Sequence, residues 1–130
     1  MNSLSKPLIL YIDDDEDTLK LVELLLSNEG YNVITTDDGD KALEIAIKSK
    51  PDLILVDVMM PDVNGYDVCH RLRSNKETAH IPIVFTTALG GIEYKFTAFS
   101  LGAVDYIVKP IQKEVLLNKI RSHVMADIQD

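Results

Sequence analysis

Hydrophobic positions follow two patterns along the chain: short apolar or β-branched runs, and longer stretches in which apolar residues return every third or fourth position. The first pattern predicts strands, and the second predicts the inner faces of helices. Strands are predicted at residues 8–12, 32–36, 53–56, 83–86 and 104–108. The inner positions of the intervening and final helices are predicted to be Leu19, Val22, Leu25 and Leu26; Ala42, Leu43, Ala46 and Ile47; Val68, Cys69 and Leu72; Ile92, Phe96 and Phe99; and Val115, Leu116, Ile120 and Val124.

The regular alternation of strand and helix predicts an α/β fold with a parallel sheet covered by helices on both faces. We expect a flavodoxin-like (βα)5 three-layer sandwich whose five strands have the order 2-1-3-4-5. The most apolar run, residues 53–56, fits a central strand that is buried on both sides. Gly102 follows the fourth helix and is expected to end it in the left-handed conformation.

Composition limits the classes of protein to which the chain can belong. A length of 130 residues fits one domain, expected at residues 8–127, with an N-terminal extension at 1–7 and a tail at 128–130. A net charge of −8 disfavours direct binding to nucleic acid or to anionic lipid. The sequence contains no apolar stretch long enough for a membrane span, no secretory signal and only one cysteine, Cys69, so we expect a cytoplasmic protein.

Polar side chains stand at or just beyond the ends of the predicted strands. Asp13 and Asp14 follow the first strand, Asp57 follows the third, and Thr87 and Lys109 follow the fourth and fifth. Because the carboxyl ends of parallel strands meet at one edge of a sheet, we expect these side chains to form a single pocket.

The chemistry of this set points to a cation and a phosphoryl group. Two carboxylates about 4 Å apart repel each other by roughly 4 kcal/mol at an effective dielectric constant of 20, so a cluster of three favours a bound cation. Oxygen ligands favour Mg²⁺ or a similar hard ion, which commonly binds phosphate oxygens as well. Asp57 can then act as a nucleophile that forms an aspartyl phosphate, with Lys109 and Thr87 as donors to the phosphoryl oxygens.

Four segments carry a resemblance to a known family. Residues 9–15 (ILYIDDD), 55–65 (LVDVMMPDVNG), 81–88 (IPIVFTTA) and 102–110 (GAVDYIVKP) resemble the receiver domain of two-component response regulators. The four motifs occur in the family's order and with its spacing, and the resemblance spans nearly the whole chain.

The resemblance implies a function and a metal site. Asp57 would accept a phosphoryl group from a sensor histidine kinase or a histidine phosphotransfer protein. Mg²⁺, for which Mn²⁺ or Ca²⁺ could substitute, would be bound by Asp14, Asp57 and the backbone carbonyl of Met59, and by Asp13 through a water molecule.

The resemblance also implies how phosphorylation becomes a signal. Thr87, rather than its neighbour Thr86, would be the switch hydroxyl, and the rotamer of Tyr106 would follow it. The Lys109–Pro110 peptide bond would be cis. A downstream protein or output domain would bind the face formed by helix 4, strand 5 and helix 5. Tyr94, Phe96 and Phe99 either form an exposed aromatic patch on helix 4, or one or two of them lie in the core.

In the family that the chain resembles, the positions two residues beyond the phosphoacceptor and the switch threonine vary and influence the lifetime of the phosphoryl group. Met59 and Leu89 stand two residues beyond Asp57 and Thr87, and neither side chain can position an attacking water molecule. We therefore expect a comparatively long-lived phosphoaspartate. Gly90 and Gly91 either make the following loop unusually free or form a plain turn.

Other functions remain open on the sequence. A metal-dependent phosphohydrolase with an aspartyl-phosphate intermediate would share Mg²⁺ and the nucleophile Asp57, but it also needs a general acid, and position 59 is methionine. A flavin carrier on the same fold would need a phosphate-binding first loop, and the first loop here is acidic. A binding module independent of phosphate would have no use for the acid, threonine and lysine set.

Overall fold

The computed structural model describes residues 6–88 and 92–124. Its strands are β1 (Leu8–Ile12), β2 (Asn32–Thr36), β3 (Leu53–Asp57), β4 (Ile83–Thr87) and β5 (Asp105–Val108). Its helices are α1 (Glu16–Asn28), α2 (Ala42–Ser49), α3 (Gly65–Arg73), α4 (Ile92–Ser100) and α5 (Lys113–Val124), and a 3₁₀ turn at Gly39–Lys41 leads into α2. The predictions on residues 1–5, Leu89, Gly90, Gly91 and the tail at 128–130 lie outside the described residues, as does the predicted inner position of the Ile92 side chain.

The five strands form one parallel sheet in the order β2-β1-β3-β4-β5, which confirms the predicted topology. All five residues of the central strand β3 are buried, as expected for a strand covered on both faces. The last residue of β1, Ile12, pairs with Thr36 in β2 and with Val56 in β3, and Asp57 pairs with Thr86 in β4. The carboxyl ends of the strands are therefore level, and the residues that follow them meet at one edge.

Side-chain alternation along the strands builds two separate core layers. Leu10 and Ile12 of β1 pack with residues of α2, α3 and α4, whereas Ile9 and Tyr11 of the same strand pack with residues of α1 and α5. These layers on either side of the sheet produce the three-layer sandwich predicted from the sequence.

The predicted inner faces of the last two helices needed correction. Phe96 and Phe99 are 73% and 44% exposed, and among residues 94–100 of α4 the buried position is Ala98, which is 1% exposed. A small residue at this position lets the helix lie close to the sheet, and the large aromatic side chains then lie outward. In α5, Val115 is 38% exposed, because the buried stripe starts one residue later, at Leu116.

The ends of two helices show why particular residues stand there. Gly102 has a φ of +96°, the left-handed conformation expected for it, and its N–H bonds to the carbonyl of Phe99 at 3.0 Å. Lys50 closes α2 with a φ of 51°, immediately before Pro51. None of the helices in the described part of the chain is both long and apolar enough to cross a bilayer.

Candidate functional site

The structure brings the three predicted carboxylates together at the carboxyl edge of the sheet. Asp13, Asp14 and Asp57 each have an oxygen that lies within 4.8 Å of the other two. Asp13 is 0% exposed and Asp57 is 3% exposed, whereas Asp14 is open to solvent. The cluster therefore has a buried floor of two carboxylates and one carboxylate at its mouth.

A close backbone contact fixes the position of Asp57. At Gly65, the first residue of α3, an added Cβ would lie 2.2 Å from the carbonyl oxygen of Asp57 and 2.7 Å from the Cα of Val58, so only glycine fits. The N–H of Gly65 donates to the carbonyl of Val58 at 2.9 Å, and the Asn64 side chain caps the helix by accepting from the N–H of Tyr66 at 2.7 Å. The start of α3 is thus held directly against the end of β3.

Lys109 reaches the two buried carboxylates from the far side of the site. Its ammonium nitrogen lies 2.8 Å from Oδ2 of Asp13 and 3.5 Å from Oδ1 of Asp57. The backbone N–H of Lys109 bonds to the carbonyl of Thr87 at 2.7 Å, and the Lys109–Pro110 peptide bond is cis. The side chain is 19% exposed, so its charge acts in a partly dehydrated setting.

The electrostatics of the site show an excess of negative charge. Burial raises the pKa of Asp57 to about 6, the nearby charge of Asp13 adds to this, and Lys109 and the backbone N–H of Met59 oppose it. Burial lowers the pKa of Lys109, but its hydrogen bond to Asp13 and the charges of Asp13 and Asp57 outweigh this and raise it overall. Lys109 thus pairs with two carboxylates of a cluster of three, and a further positive charge would stabilise the site.

The donor set fits Mg²⁺. All the clustered ligand atoms are carboxylate oxygens, the type that this hard cation prefers. Two of the acids are buried with a single lysine between them, so a divalent cation would offset a repulsion that the protein leaves in place. Met59, whose carbonyl was predicted as a ligand, lies two residues after Asp57, and its side chain is 56% exposed.

The two adjacent threonines of β4 face opposite sides of the sheet. Thr86 Oγ1 lies 3.5 Å from the hydroxyl of Tyr11, on the side of α1 and α5. By strand alternation Thr87 lies on the same side as Phe85, the register partner of Tyr106 in β5. Thr87 is 2% exposed at the end of β4, and Tyr106 is half-buried.

Sequence reasoning missed one member of the site, Tyr11. The residue reads as part of an apolar run, but its hydroxyl donates to Oδ2 of Asp13 at 2.5 Å. Burial and the hydrogen bond to Asp13 raise the pKa of Tyr11 far above its ordinary value, so the hydroxyl keeps its proton and remains a donor. The signal was available, because residues two apart on a strand point to the same side and Asp13 stands two residues after Tyr11.

Comparisons with known proteins agree on one family. The response regulator receiver domain family matches residues 9–121 of the chain. A curated relative, the DNA-binding dual master transcriptional regulator RpaA of Synechocystis sp., is 44% identical over 116 residues, which are 89% of this chain and 48% of RpaA. The chain therefore spans about half the length of this relative.

Two solved structures share the fold along nearly their whole length. The chemotaxis protein CheY4 of Vibrio cholerae is 30% identical with a TM-score of 0.87, and the alignment covers 92% of this chain and 99% of CheY4. The receiver domain of the sensor histidine kinase PA1611 of Pseudomonas aeruginosa is 26% identical with a TM-score of 0.82, and the alignment covers 93% and 99% of the two chains. That structure has a magnesium ion coordinated in its active-site cleft.

Proposed function

The chain belongs to the response regulator receiver domain family, whose members are phosphoaccepting signalling domains, and from this premise we propose that Asp57 is its phosphoacceptor. The donor would be a phosphohistidine of a sensor histidine kinase or of a histidine phosphotransfer protein. The observation that carries the proposal is the buried pair Asp13 and Asp57 with one lysine between them at the carboxyl edge of the sheet. Membership of this family favours the phosphoacceptor over the phosphohydrolase that the same acids could serve.

The proposed transfer is a single displacement at phosphorus. A carboxylate oxygen of Asp57 forms the new O–P bond, the N–P bond to the donor histidine breaks, and its electron pair returns to the imidazole ring. With a pKa of about 6, Asp57 is ionised and nucleophilic near neutral pH. The ammonium group of Lys109, 3.5 Å from Oδ1 of Asp57, is close enough to shift onto an oxygen of the incoming group.

The proposed metal ligands are Asp14, Asp57 and the carbonyl of Met59, with Asp13 acting through a water molecule. Mg²⁺, when bound, neutralises part of the charge on the phosphoryl oxygens, and Mn²⁺ or Ca²⁺ could take its place. The exposed carboxylate of Asp14 is accessible to an incoming hydrated cation, whereas Asp13 is occupied by its hydrogen bonds to Tyr11 and Lys109.

We propose that the signal leaves the site through β4 and β5. Phosphorylation would shift an existing equilibrium between inactive and active conformations, with Thr87 bonding to the phosphoryl group and Tyr106 following it. The register pairing of Phe85 with Tyr106 supports this route, since Thr87 shares a side of the sheet with Phe85. The ammonium group of Lys95 lies 5.5 Å from the centre of the Tyr106 ring, so a change at Tyr106 would be felt by α4.

The proposed output surface is the face of α4, β5 and α5. Large apolar side chains on or next to these elements are exposed: Tyr94 at 37%, Phe96 at 73%, Phe99 at 44%, Val104 at 37%, Val108 at 43% and Val115 at 38%. A downstream protein, or an output domain such as the one that RpaA's greater length and name indicate, would bind there. The net charge of −8 argues against nucleic acid as a direct ligand of this segment.

Three further points belong to the same proposal. The receiver domain would occupy residues 8–127, with 1–7 as an extension and 128–130 as a tail; the family match at 9–121 lies inside these bounds. The location would be cytoplasmic, where the free, buried thiol of Cys69 stays reduced. The phosphoaspartate would be long-lived, because the exposed methionine at position 59 cannot orient water.

The test is intact mass spectrometry after incubation with Mg²⁺ and a small phosphodonor. The wild type should gain one phosphoryl group, and Asp57→Asn should gain none. Asp62→Asn is the matched control, because this exposed acid lies in the loop after β3, and it should be labelled like the wild type. Equal labelling of wild type and Asp57→Asn, or no labelling of either, would contradict the proposal.

The lifetime is tested on the labelled protein. Met59→Asn should lose the phosphoryl group several-fold faster than the wild type, because its amide can hold a water molecule near Asp57. An unchanged decay rate would count against a role for position 59.

A further inference from the structure

The carboxylate of Asp13 accepts hydrogen bonds from three donors. Its Oδ2 accepts from the hydroxyl of Tyr11 at 2.5 Å and from the ammonium group of Lys109 at 2.8 Å. Its Oδ1 accepts from the backbone N–H of Asp15 at 2.9 Å. A carboxylate offers about four acceptor positions, so these three donors leave one, and it lies on Oδ1.

Tyr11 and Lys109 share one oxygen, and this places them in competition. The carboxylate interacts less strongly with each donor when the other is present, because each withdraws charge from the same atom. The same holds for a cation that draws on Asp13 through bound water. Tyr11 is a neutral, buried donor that does not need to move when Lys109 or a cation changes partner.

We propose that Tyr11 is a positioning residue that weakens the interaction of Asp13 with Lys109 and with the cation. Its hydroxyl orients the carboxylate so that the one remaining acceptor position lies on Oδ1. It also continues to donate a hydrogen bond to Asp13 when Lys109 shifts towards the phosphoryl group on Asp57. The inference rests on the proposed phosphoacceptor function and adds a residue to its machinery.

The surroundings of the hydroxyl support this role over simple packing. Packing in this strand does not require a hydroxyl, because the other buried residues of β1, Ile9, Leu10 and Ile12, are all aliphatic. The oxygen instead points along the strand towards the site edge, between Asp13 and Thr86. Because the Tyr11 hydroxyl donates its hydrogen bond to Asp13, its oxygen can also accept from the Thr86 hydroxyl, 3.5 Å away.

The first test measures Mg²⁺ binding by calorimetry in the absence of any phosphodonor. Tyr11→Phe keeps the ring and removes only the hydroxyl, so the metal-free site loses a donor and its carboxylate becomes a better partner for the cation. The dissociation constant for Mg²⁺ should fall roughly threefold to tenfold, as expected for loss of part of a charged hydrogen bond. Tyr31→Phe, which removes a hydroxyl on the same side of the sheet but at its opposite edge, should bind Mg²⁺ like the wild type.

The outcomes separate the two proposals. If wild type and Asp14→Asn both fail to bind Mg²⁺, the proposed metal site and this inference fall together. If the wild type binds Mg²⁺ and Tyr11→Phe binds it with the same or a weaker affinity, this inference alone is overturned.

A second measurement uses the wild type and does not depend on how the variant folds. A hydroxyl buried on a carboxylate exchanges slowly with water, so the proton of Tyr11 should give its own downfield NMR signal. Addition of Mg²⁺ should shift that signal and leave the ring signals of Tyr31 in place. A Tyr11 hydroxyl signal that does not respond to saturating Mg²⁺ would overturn the proposal.

Discussion

The amino and carboxyl ends of the sheet each carry a cluster in which aspartate meets lysine, but the two clusters balance their charges differently. At the amino edge Asp105 begins β5, and its two oxygens meet Lys119 at 2.8 Å and His123 at 3.1 Å. At the carboxyl edge a single lysine serves the carboxylates of Asp13 and Asp57. At the start of β5, Asp105 is paired with two basic side chains, whereas just past its end Lys109 pairs with two acids.

The difference appears in the direction of two pKa shifts. Burial raises the pKa of Asp105, but hydrogen bonds from Lys119, His123 and its neighbouring backbone outweigh this, and the pKa is lowered overall. Burial and a neighbouring carboxylate raise the pKa of Asp57. A cluster that holds the fold together satisfies its charges internally, whereas a cluster that binds an external group leaves a charge unsatisfied.

The largest expected difference between the two edges comes from removing each lysine. Lys109→Met leaves two buried carboxylates without their counter-charge, so the free energy of unfolding in chelator should fall by about 3 kcal/mol. Lys119→Met removes a partner that is 33% exposed, and the loss should stay below about 1 kcal/mol. Urea denaturation of both variants measures this, and equal losses would mean that the two clusters are equivalent.

Removing the acids should change stability in opposite directions. Asp57→Asn relieves the repulsion with Asp13 and should raise the free energy of unfolding in chelator by about 1–2 kcal/mol. Asp105→Asn breaks a satisfied pair and should lower it by about 1 kcal/mol.

The melting temperature of each variant, with and without Mg²⁺, provides the check. Added Mg²⁺ should stabilise the wild type and Asp105→Asn more than Asp57→Asn. If Asp57→Asn lowers the melting temperature in chelator, the carboxyl edge is not strained and the comparison fails.

The smallest expected effect is on how the free energy of unfolding of the metal-free protein changes with pH. Because the pKa of folded Asp57 is raised to about 6, the folded state binds its proton more tightly than the unfolded state does. The free energy of unfolding should therefore fall as pH rises from about 4 to about 6, and Asp57→Asn should remove this slope.

Asp105 should produce the opposite slope at lower pH. Its folded pKa is lowered, so its contribution is present above the ordinary carboxyl pKa and is lost as pH falls through the folded value. Asp105→Asn should flatten only this acid limb, as followed by denaturation at a series of pH values. A variant that flattens the other limb would reverse the assignment of the two groups.

The sheet and the convergence of acids could be predicted because strand periodicity and strand ends are local properties of the sequence. Residues 8–12 and 32–36 match β1 and β2, and a parallel sheet then brings Asp13 and Asp57 to one edge. Thr87 and Lys109 lie at the same edge for the same reason.

Other features depend on tertiary packing that periodicity does not encode. Apolar spacing placed Phe96 and Phe99 inward, but the closeness of α4 to the sheet is set by Ala98, a residue too small to give a strong signal. Strand spacing places Tyr11 and Asp13 on the same side of the sheet, but whether the buried hydroxyl reaches that carboxylate depends on packing. The contact of Gly65 with Asp57 required knowing how close α3 comes to β3.

Because of that contact at Gly65, the loop between β3 and α3 could be replaced as a single segment. The loop leaves β3 after Asp57 and is closed again by the bond from Gly65 to Val58, so residues 59–63 lie between a fixed strand end and a fixed helix start. Residues 59–63 could therefore be replaced as one segment while the sheet keeps Asp57 in place and Asn64 still caps α3.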